Sequence, residues 1–253
     1  IVLIPNDLLD FVAISMQVRA EAAWQKVPKG KKISVGKRSV GGRAIRKVVN
    51  KWIVSKLSPF WAVKYGGEKS GNFSLRDVMR LYHPDFGGAL SMVSFLMGRV
   101  PTKSEGEYPP VIKAFENLKV ATTDKEKIAA IKAGNLPHEV ASTFAGKDPK
   151  VWTAIAESMP IFALLRNLAT LERNGAINDT TMAKIKDTFT NPEIVAKSKL
   201  FPFRFLQAFE KVNNDTIKDY LRDALDNSFI NIPAFPGKTL VAVDLSGSMR
   251  PTY

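Results

Sequence analysis

Arg76, Arg80 and His83 are separated by four and three residues, the spacing that places side chains on one face of an α-helix. Two guanidinium groups and an imidazole in such a row can donate hydrogen bonds to phosphate oxygens or to the edge of a base. The same spacing also fits a solvated helix face that ends in a packing or capping histidine. The row is therefore a candidate contact for a phosphate backbone.

Basic residues are concentrated just before this row. The chain of 253 residues has 37 Lys and Arg against 24 Asp and Glu, which gives a net charge of +13. No acidic residue occurs between Glu21 and Glu68, and twelve of the thirteen surplus positive charges fall in that window: Lys26, Lys29, Lys31, Lys32, Lys37, Arg38, Arg43, Arg46, Lys47, Lys51, Lys56 and Lys64. A field this concentrated attracts polyanions, of which nucleic acid is the commonest.

Several classes of chemistry are excluded or disfavoured by the sequence. The chain has no cysteine, which excludes disulfides, a thiol nucleophile and thiolate metal sites. The two histidines, His83 and His138, are far apart, and no phosphate-binding glycine loop or serine nucleophile motif has the required spacing. We therefore expect a protein that is not an enzyme. No apolar run is long enough for a membrane helix and no signal peptide is visible at Ile1, so we expect a cytoplasmic protein without a membrane partner.

Helical periodicity extends along most of the chain. It predicts helices over 8–27, 43–57 and 75–82, the last beginning after an N-cap at Ser74 and ending before Pro84. Further helices are predicted over 88–98, 110–120, 124–133, 149–157, 161–174, 179–188, 192–198, 202–212 and 214–229. Short connectors with Gly, Pro or Asn favour stacked helical pairs and an all-α fold. One strand is predicted, over 239–243, because this run is short, apolar and β-branched.

Other polar and aromatic residues are assigned structural roles at this level. His138 has no notable basic neighbours in the sequence, and Arg166 lies in a leucine-rich helix, where we expect it to satisfy buried carbonyls or a carboxylate. The tryptophans occupy apolar helical positions and are expected in the core rather than as base-stacking platforms: Trp24, Trp52, Trp61 and Trp152.

Four separated stretches resemble the TROVE module of the Ro ribonucleoprotein family. They include Gly42–Trp52, Ala62–Tyr65 with Arg76–Pro84, the block from Leu136 to Leu168, and Phe201–Phe203 with Gly237–Met249. The resemblance implies a ring or solenoid of HEAT-like helical pairs over residues 1–236. Residues 237–253 would then hold the first strand and metal-site loop of a truncated von Willebrand factor A domain of α/β type.

The same resemblance implies an RNA-binding, non-enzymatic scaffold for RNA quality control. Such proteins bind small noncoding Y-like RNA on a basic outer surface and accept single-stranded ends of misfolded RNA. A 3′ exonuclease is an expected partner, and the ring is expected to be monomeric.

Site residues follow from matching positions. His83 resembles the family's RNA-contacting histidine, with Lys64 and, less closely, Lys69 as further contacts. The helix that carries Arg43, Arg46, Lys47 and Lys51 matches the RNA-binding side, and Arg76 and Arg80 share the helix face of His83. Asp244, Ser246 and Ser248 resemble the start of a metal-ion-dependent adhesion site, where hard oxygen ligands suit Mg²⁺. Three ligands are too few on their own, so an incomplete and empty loop stays an equal alternative.

One alternative function stays open from the sequence. The basic residues could instead serve a helical protein-interaction scaffold that binds an acidic protein or a membrane surface. Salt-dependent RNA binding and RNA recovered with the purified protein distinguish the two.

Overall fold

The structure is a computed structural model that describes residues 4–25, 42–66, 69–70, 73–84, 90–234 and 236–238. The side chains of residues 16–25, 69–70 and 73 are outside that description. The strand predicted over 239–243 and the metal-site loop after it lie outside the described residues, so both stay predictions. The division at residue 236 stays a prediction as well.

The described chain is almost entirely helical. Its helices are α1 (Pro5–Gln25), α2 (Arg43–Lys56), α3 (Pro59–Tyr65), α4 (Leu75–Tyr82), α5 (Leu90–Met97), α6 (Pro110–Val120), α7 (Asp124–Gly134), α8 (His138–Ala141), α9 (Pro149–Ser158), α10 (Ile161–Arg173), α11 (Asp179–Phe189), α12 (Pro192–Ser198), α13 (Pro202–Phe209) and α14 (Asp215–Ser228). Short 3₁₀ turns cover Lys103–Glu105 and Phe229–Asn231. The predicted all-α class is confirmed for this part of the chain.

Two helices and one small sheet were not expected from the sequence. Helices α3 and α8 are seven and four residues long, too short for a periodic pattern to stand out. Strands β1 (Lys69–Ser70) and β2 (Phe73–Ser74) pair antiparallel, with Lys69 opposite Ser74. This two-residue pairing corrects the expectation that the only strand lies near residue 240.

Helix starts follow from local chemistry. Pro is the first residue of α3, α6, α9, α12 and α13, where its missing N–H costs nothing. Side-chain oxygens cap the exposed N–H groups of other first turns, as Asn214 does for α14. These signals explain why most boundaries predicted from the sequence agree with the structure within a few residues.

Packing arranges the helices in two neighbouring rows. Helices α7, α9, α11 and α14 contact one another in succession, and α10 packs against α9, α12 and α13 on the other side. Helix α3 lies between α6 and α8, and α4 packs on α1, α2 and α5. One buried apolar cluster runs from Leu8 in α1 to Ala224 in α14. This stack holds the polar surfaces described next in fixed relation.

Candidate nucleic-acid interface

Helix α2 presents a stripe of cations to solvent. Its buried face consists of Val49, Trp52 and Ile53, and Trp52 stacks on Trp61 of α3 with ring centroids 6.0 Å apart. Burial of these apolar residues fixes which side of α2 faces outward. The exposed side carries Arg43, Arg46, Lys47 and Lys51. Ala44 and Val48 are exposed, so the buried stripe of α2 is narrow.

One hydrogen bond joins this stripe to the end of α4. The Arg46 Nε donates to the main-chain carbonyl of Tyr82 over 3.3 Å, across 36 residues of sequence. Tyr82 is the last residue of α4 and is itself buried, so the bond anchors α2 beside the position where His83 emerges. The contact brings the basic residues of α2 close to the end of α4, although the two predicted groups lie far apart in the chain.

His83 ends α4 in a left-handed backbone conformation. Its φ is 44° and its N–H donates to the Met79 carbonyl over 3.0 Å, while its side chain is exposed. This geometry satisfies an end-of-helix carbonyl, and Pro84 prevents the helix from continuing. The His83 backbone is thus fixed at the end of α4, one residue after the Tyr82 carbonyl that Arg46 binds, and its side chain faces solvent.

The two arginines of α4 have different surroundings. Arg80 is exposed and has no carboxylate partner among the described residues. Arg76, one turn earlier, donates from Nε to the main-chain carbonyl of Leu96 over 2.9 Å and so caps the end of α5. All three side chains of the predicted row are exposed, and Arg76 is the one whose hydrogen bond ties it to α5.

Lys64 lies in an ionic cluster between α3 and α8. Its Nζ is 2.8 Å from the Glu139 Oε1, and the other oxygen of Glu139 is 3.0 Å from the His138 Nδ1. Burial lowers the pKa of Lys64, but the hydrogen bond and charge of Glu139 outweigh it and raise the pKa overall. Burial raises the pKa of Glu139, yet its bond to Lys64 leaves that pKa lowered. Lys64 stays a predicted RNA contact, and its ammonium is held by a carboxylate that the sequence did not reveal.

His138 has basic neighbours in space that it lacks in sequence. Burial lowers its pKa, and although the charge of Glu139 raises it, the charges of Lys64 and Arg166 lower it further. The sequence neighbours of His138 therefore did not reveal these basic groups, which approach it because α8 packs on α3 and because Arg166 lines the same pocket. Its structural role stays a prediction.

A groove lined by exposed rings and cations crosses α10. Its first part, about 700 Å³, is lined by Phe60, His138, Phe162 and Arg166, and its second part, about 570 Å³, adds Arg204 and Lys211. Phe162 and Arg166 line both parts, so the two parts adjoin at α10. We call these five residues the aromatic–basic groove: Phe60, Phe162, Arg166, Arg204 and Lys211.

Cation–π contacts organise this groove. The Arg166 guanidinium lies 5.6 Å from the Phe162 ring centroid, and the Arg204 guanidinium lies 4.8 Å from that of Phe203. Arg166 is exposed, which corrects the expectation that it satisfies buried carbonyls or a carboxylate. The sequence signal was present as a Phe and an Arg four residues apart, but only the packing of α10 shows that both face solvent.

For the remaining predicted site residues, the structure describes some only by their backbone and others not at all. Lys69 lies in β1, with a side chain outside the description, and it stays a predicted contact. Asp244, Ser246 and Ser248 lie outside the described residues, so Mg²⁺ binding stays a prediction. Trp52 and Trp152 are buried, which confirms their expected place in the core. Within the described ranges, no helix is both long and apolar enough to cross a membrane.

Comparisons with known proteins agree with this fold. A family model for the TROVE domain matches residues 137–233. The RNA-binding protein RO60 of Caenorhabditis elegans is 28% identical over 153 residues, which cover 55% of this chain and 24% of that protein. The RNA-binding protein RO60 of Deinococcus radiodurans is 27% identical over 225 residues, covering 82% of this chain and 42% of its own length.

A solved structure shares the architecture. The crystal structure of the Deinococcus radiodurans RO (RSR) protein superposes with a TM-score of 0.63 at 20% identity, over 90% of this chain and 52% of that one. The chain spans less than half the length of the two curated relatives and about half of this structure. Residues 137–233 thus match the TROVE domain model, and the chain shares the helical fold of the Deinococcus radiodurans RO protein.

Proposed function

We propose that this chain binds structured RNA on a basic face formed by six residues: Arg43, Arg46, Lys47, Lys51, Arg80 and His83. The observation that carries the proposal is that these side chains are all exposed and that none has a carboxylate partner among the described residues. Two curated relatives that the chain matches are named RNA-binding proteins, which supports RNA over other polyanions.

The contrast with the rest of the surface supports this proposal. Lysines and arginines elsewhere are often neutralised locally, as in the pairs Arg99–Glu105, Lys119–Glu116 and Lys132–Glu157. Cations left unpaired on one face contribute a net field that attracts phosphates and speeds association. His83 can add a directional hydrogen bond to a base edge or phosphate at the corner of this face.

Single-stranded RNA ends are proposed to bind a second surface, the aromatic–basic groove. Proteins that hold single strands combine a positive groove with aromatic side chains on which bases stack. Phe162 and Phe60 are about two-fifths exposed, and Arg166, Arg204 and Lys211 have no carboxylate partner among the described residues. The ring-and-cation composition favours single strands over a paired helix, whose bases are already stacked.

In this proposal the chain acts as a ribonucleoprotein scaffold rather than as an enzyme. A Y-like noncoding RNA would occupy the basic face, and a misfolded RNA would present its unpaired end to the groove. A 3′ exonuclease recruited through the bound RNA, a cytoplasmic location, a monomeric ring and Mg²⁺ at Asp244 belong to the same proposal.

Salt titration of RNA binding tests the basic face. Affinity for a structured RNA hairpin should fall by about a hundredfold between 50 and 200 mM salt if roughly four phosphates are contacted. Replacing Arg43, Lys47 and Lys51 by Gln should weaken binding and reduce the slope of log affinity against log salt by about three. Lys125, Lys147 and Lys186, exposed on other helices and connectors, provide a matched triple replacement that should change neither.

The rival function, a helical scaffold for an acidic protein or a membrane surface, predicts a different outcome. Two results would reject the basic face as an RNA site. One is an affinity for hairpin RNA that does not change with salt, and the other is an equal affinity of the two triple variants for that hairpin. The rival would be favoured if the protein is purified without nucleic acid and binds anionic vesicles, and if the variant at Arg43, Lys47 and Lys51 no longer binds those vesicles.

A further inference from the structure

A pocket lined by four aromatic rings includes Arg76 in its wall. Its volume is about 560 Å³, within the usual range for small-ligand sites. Phe95, Tyr108, Phe115 and Phe144 line it in a chain of edge-to-face contacts, with neighbouring centroids 5.8 to 6.3 Å apart. All four rings are only partly buried, so ring surface stays open to an incoming planar group.

Arg76 supplies one cationic wall of this aromatic pocket. Its Nε is held by the Leu96 carbonyl, which fixes the guanidinium and leaves the two terminal nitrogens for another acceptor. Gly98 leaves that guanidinium accessible, because a Cβ added there would lie 2.9 Å from the Arg76 Nη2. With φ of 72°, Gly98 also occupies a conformation that other residues rarely adopt.

The other cations around the pocket are already compensated. Lys64 pairs with Glu139, Lys119 with Glu116 and Arg99 with Glu105. Arg76 has no carboxylate partner among the described residues, so it is the cation at this pocket that is available for an anionic group. The ligand that fits has a flat aromatic part and one adjacent negative charge.

We propose that the aromatic pocket binds one unstacked nucleotide of the RNA held on the basic face. The base would lie against the aromatic rings, and its phosphate would accept hydrogen bonds from Arg76. Base contact with aromatic side chains is worth roughly 1–3 kcal/mol in single-strand binding proteins.

Continuity with the basic face identifies a nucleotide as the occupant rather than another anionic aromatic compound. Arg76 and Arg80 are one turn apart on the same short helix, and His83 ends that helix. An RNA strand that contacts Arg80 and His83 therefore passes within one helical turn of Arg76. This inference rests on the proposed RNA function, and the experiments below separate the two.

Binding of adenosine 5′-monophosphate to the full chain, followed by ligand-observed NMR, tests the pocket directly. We expect the monophosphate to bind at least about tenfold more tightly than adenosine, which lacks the phosphate, or ribose 5-phosphate, which lacks the base. Thr143→Trp places a large side chain in the pocket from an exposed position that lines it, and it should abolish binding. Ala133→Trp, exposed on α7 and outside the lining, is the matched control and should bind as the native chain does.

Arg76→Gln separates the phosphate contact from the aromatic contact. It should reduce the affinity for the monophosphate to that for adenosine. Equal affinities of the native chain for adenosine and its monophosphate would overturn the role of Arg76. Undiminished binding to a folded Thr143→Trp chain would overturn the pocket itself.

An RNA hairpin with a single unpaired nucleotide connects the pocket to the basic face. The native chain should bind it more tightly than the fully paired hairpin, and Thr143→Trp should remove the difference while leaving the affinity for the paired hairpin unchanged. A native chain that binds both hairpins equally contradicts the inference and leaves the proposed function standing. If the monophosphate binds but neither hairpin does, the pocket stands and the proposed function fails.

Discussion

His83 shows how a single residue can serve both structure and recognition. Its backbone closes α4 in the left-handed region, and its side chain projects to solvent beside Arg46. A non-glycine residue in this conformation carries a steric cost of about 1 kcal/mol. The backbone role does not need an imidazole, so the two functions can be tested separately.

Replacing His83 by Gly should separate stability from recognition. Glycine adopts the left-handed conformation without steric cost, so the free energy of unfolding should stay the same or rise by up to about 1 kcal/mol. Loss of one hydrogen-bonding side chain should weaken hairpin binding by about two- to tenfold. Urea unfolding and a binding titration measure the two quantities, and an unchanged affinity would remove His83 from the site.

His138 should make stability depend on pH between about 7 and 5. Because its pKa is lowered in the folded state, the unfolded chain binds a proton more readily as the pH falls through the ordinary histidine value of about 6.5. The free energy of unfolding should therefore be highest above that pH and decrease below it. His138→Gln should flatten this part of the profile in urea unfolding, whereas an identical profile would contradict the prediction. Glu139, with its lowered pKa, contributes only at more acidic pH, below about 4.5.

At the scale of elements, α4 is a short helix that depends on its ends. Its eight residues are below the length at which an isolated helix is stable in water. The Ser74 hydroxyl accepts from the Asp77 N–H, and the Asp77 carboxylate accepts from the Ser74 N–H over 2.9 Å. Buried Leu75, Val78, Met79 and Tyr82 then fix the helix on the core, which directs Arg80 outward.

Removing this cap should destabilise the protein. Ser74→Ala should lower the free energy of unfolding by about 1 kcal/mol, the usual cost of losing a capping hydroxyl. Ser74→Thr retains the hydroxyl and is the control that should lose less. Urea denaturation of the three chains provides the comparison, and equal stability of the Ala and Thr variants would show that the cap contributes nothing.

At the scale of the whole molecule, two cationic surfaces use different helices. The basic face belongs to α2 and the end of α4, whereas the aromatic–basic groove belongs to α3, α10 and α13 and the residues just after α13. The first has exposed cations and the imidazole of His83 but no phenylalanine among its members, whereas the second combines cations with exposed phenylalanine rings. Two ligand classes are therefore expected to bind separately.

Paired and unpaired RNA should respond to different triple variants. Replacing Arg166, Arg204 and Lys211 by Gln should weaken binding of a single-stranded oligonucleotide by roughly tenfold or more and leave a blunt hairpin unaffected. The triple variant at Arg43, Lys47 and Lys51 should weaken binding of the blunt hairpin and leave binding of the single-stranded oligonucleotide unaffected. Fluorescence anisotropy with both ligands measures this, and equal losses on both ligands would indicate one continuous site.

The sequence by itself determined most helix boundaries and the helical class. N-caps, first-turn prolines and apolar spacing act between residues a few positions apart, so they can be recognised without knowing the fold. The concentration of basic charge and the TROVE resemblance were visible for the same reason. Helices α3 and α8 were not predicted, because a helix of one or two turns has too few residues to show a periodic apolar pattern.

Only the tertiary structure decided which charged groups are available. Lys64 and Glu139 are 75 positions apart, and their ion pair exists because α3 packs beside α8. Arg76 and Arg80 look equivalent in sequence, but the end of α5 accepts a hydrogen bond from the first and not from the second. Arg166 resembles a buried arginine until the packing of α10 exposes it over Phe162. Availability depends on burial and on partners that are distant in sequence, and these are properties of the packed stack rather than of any single segment.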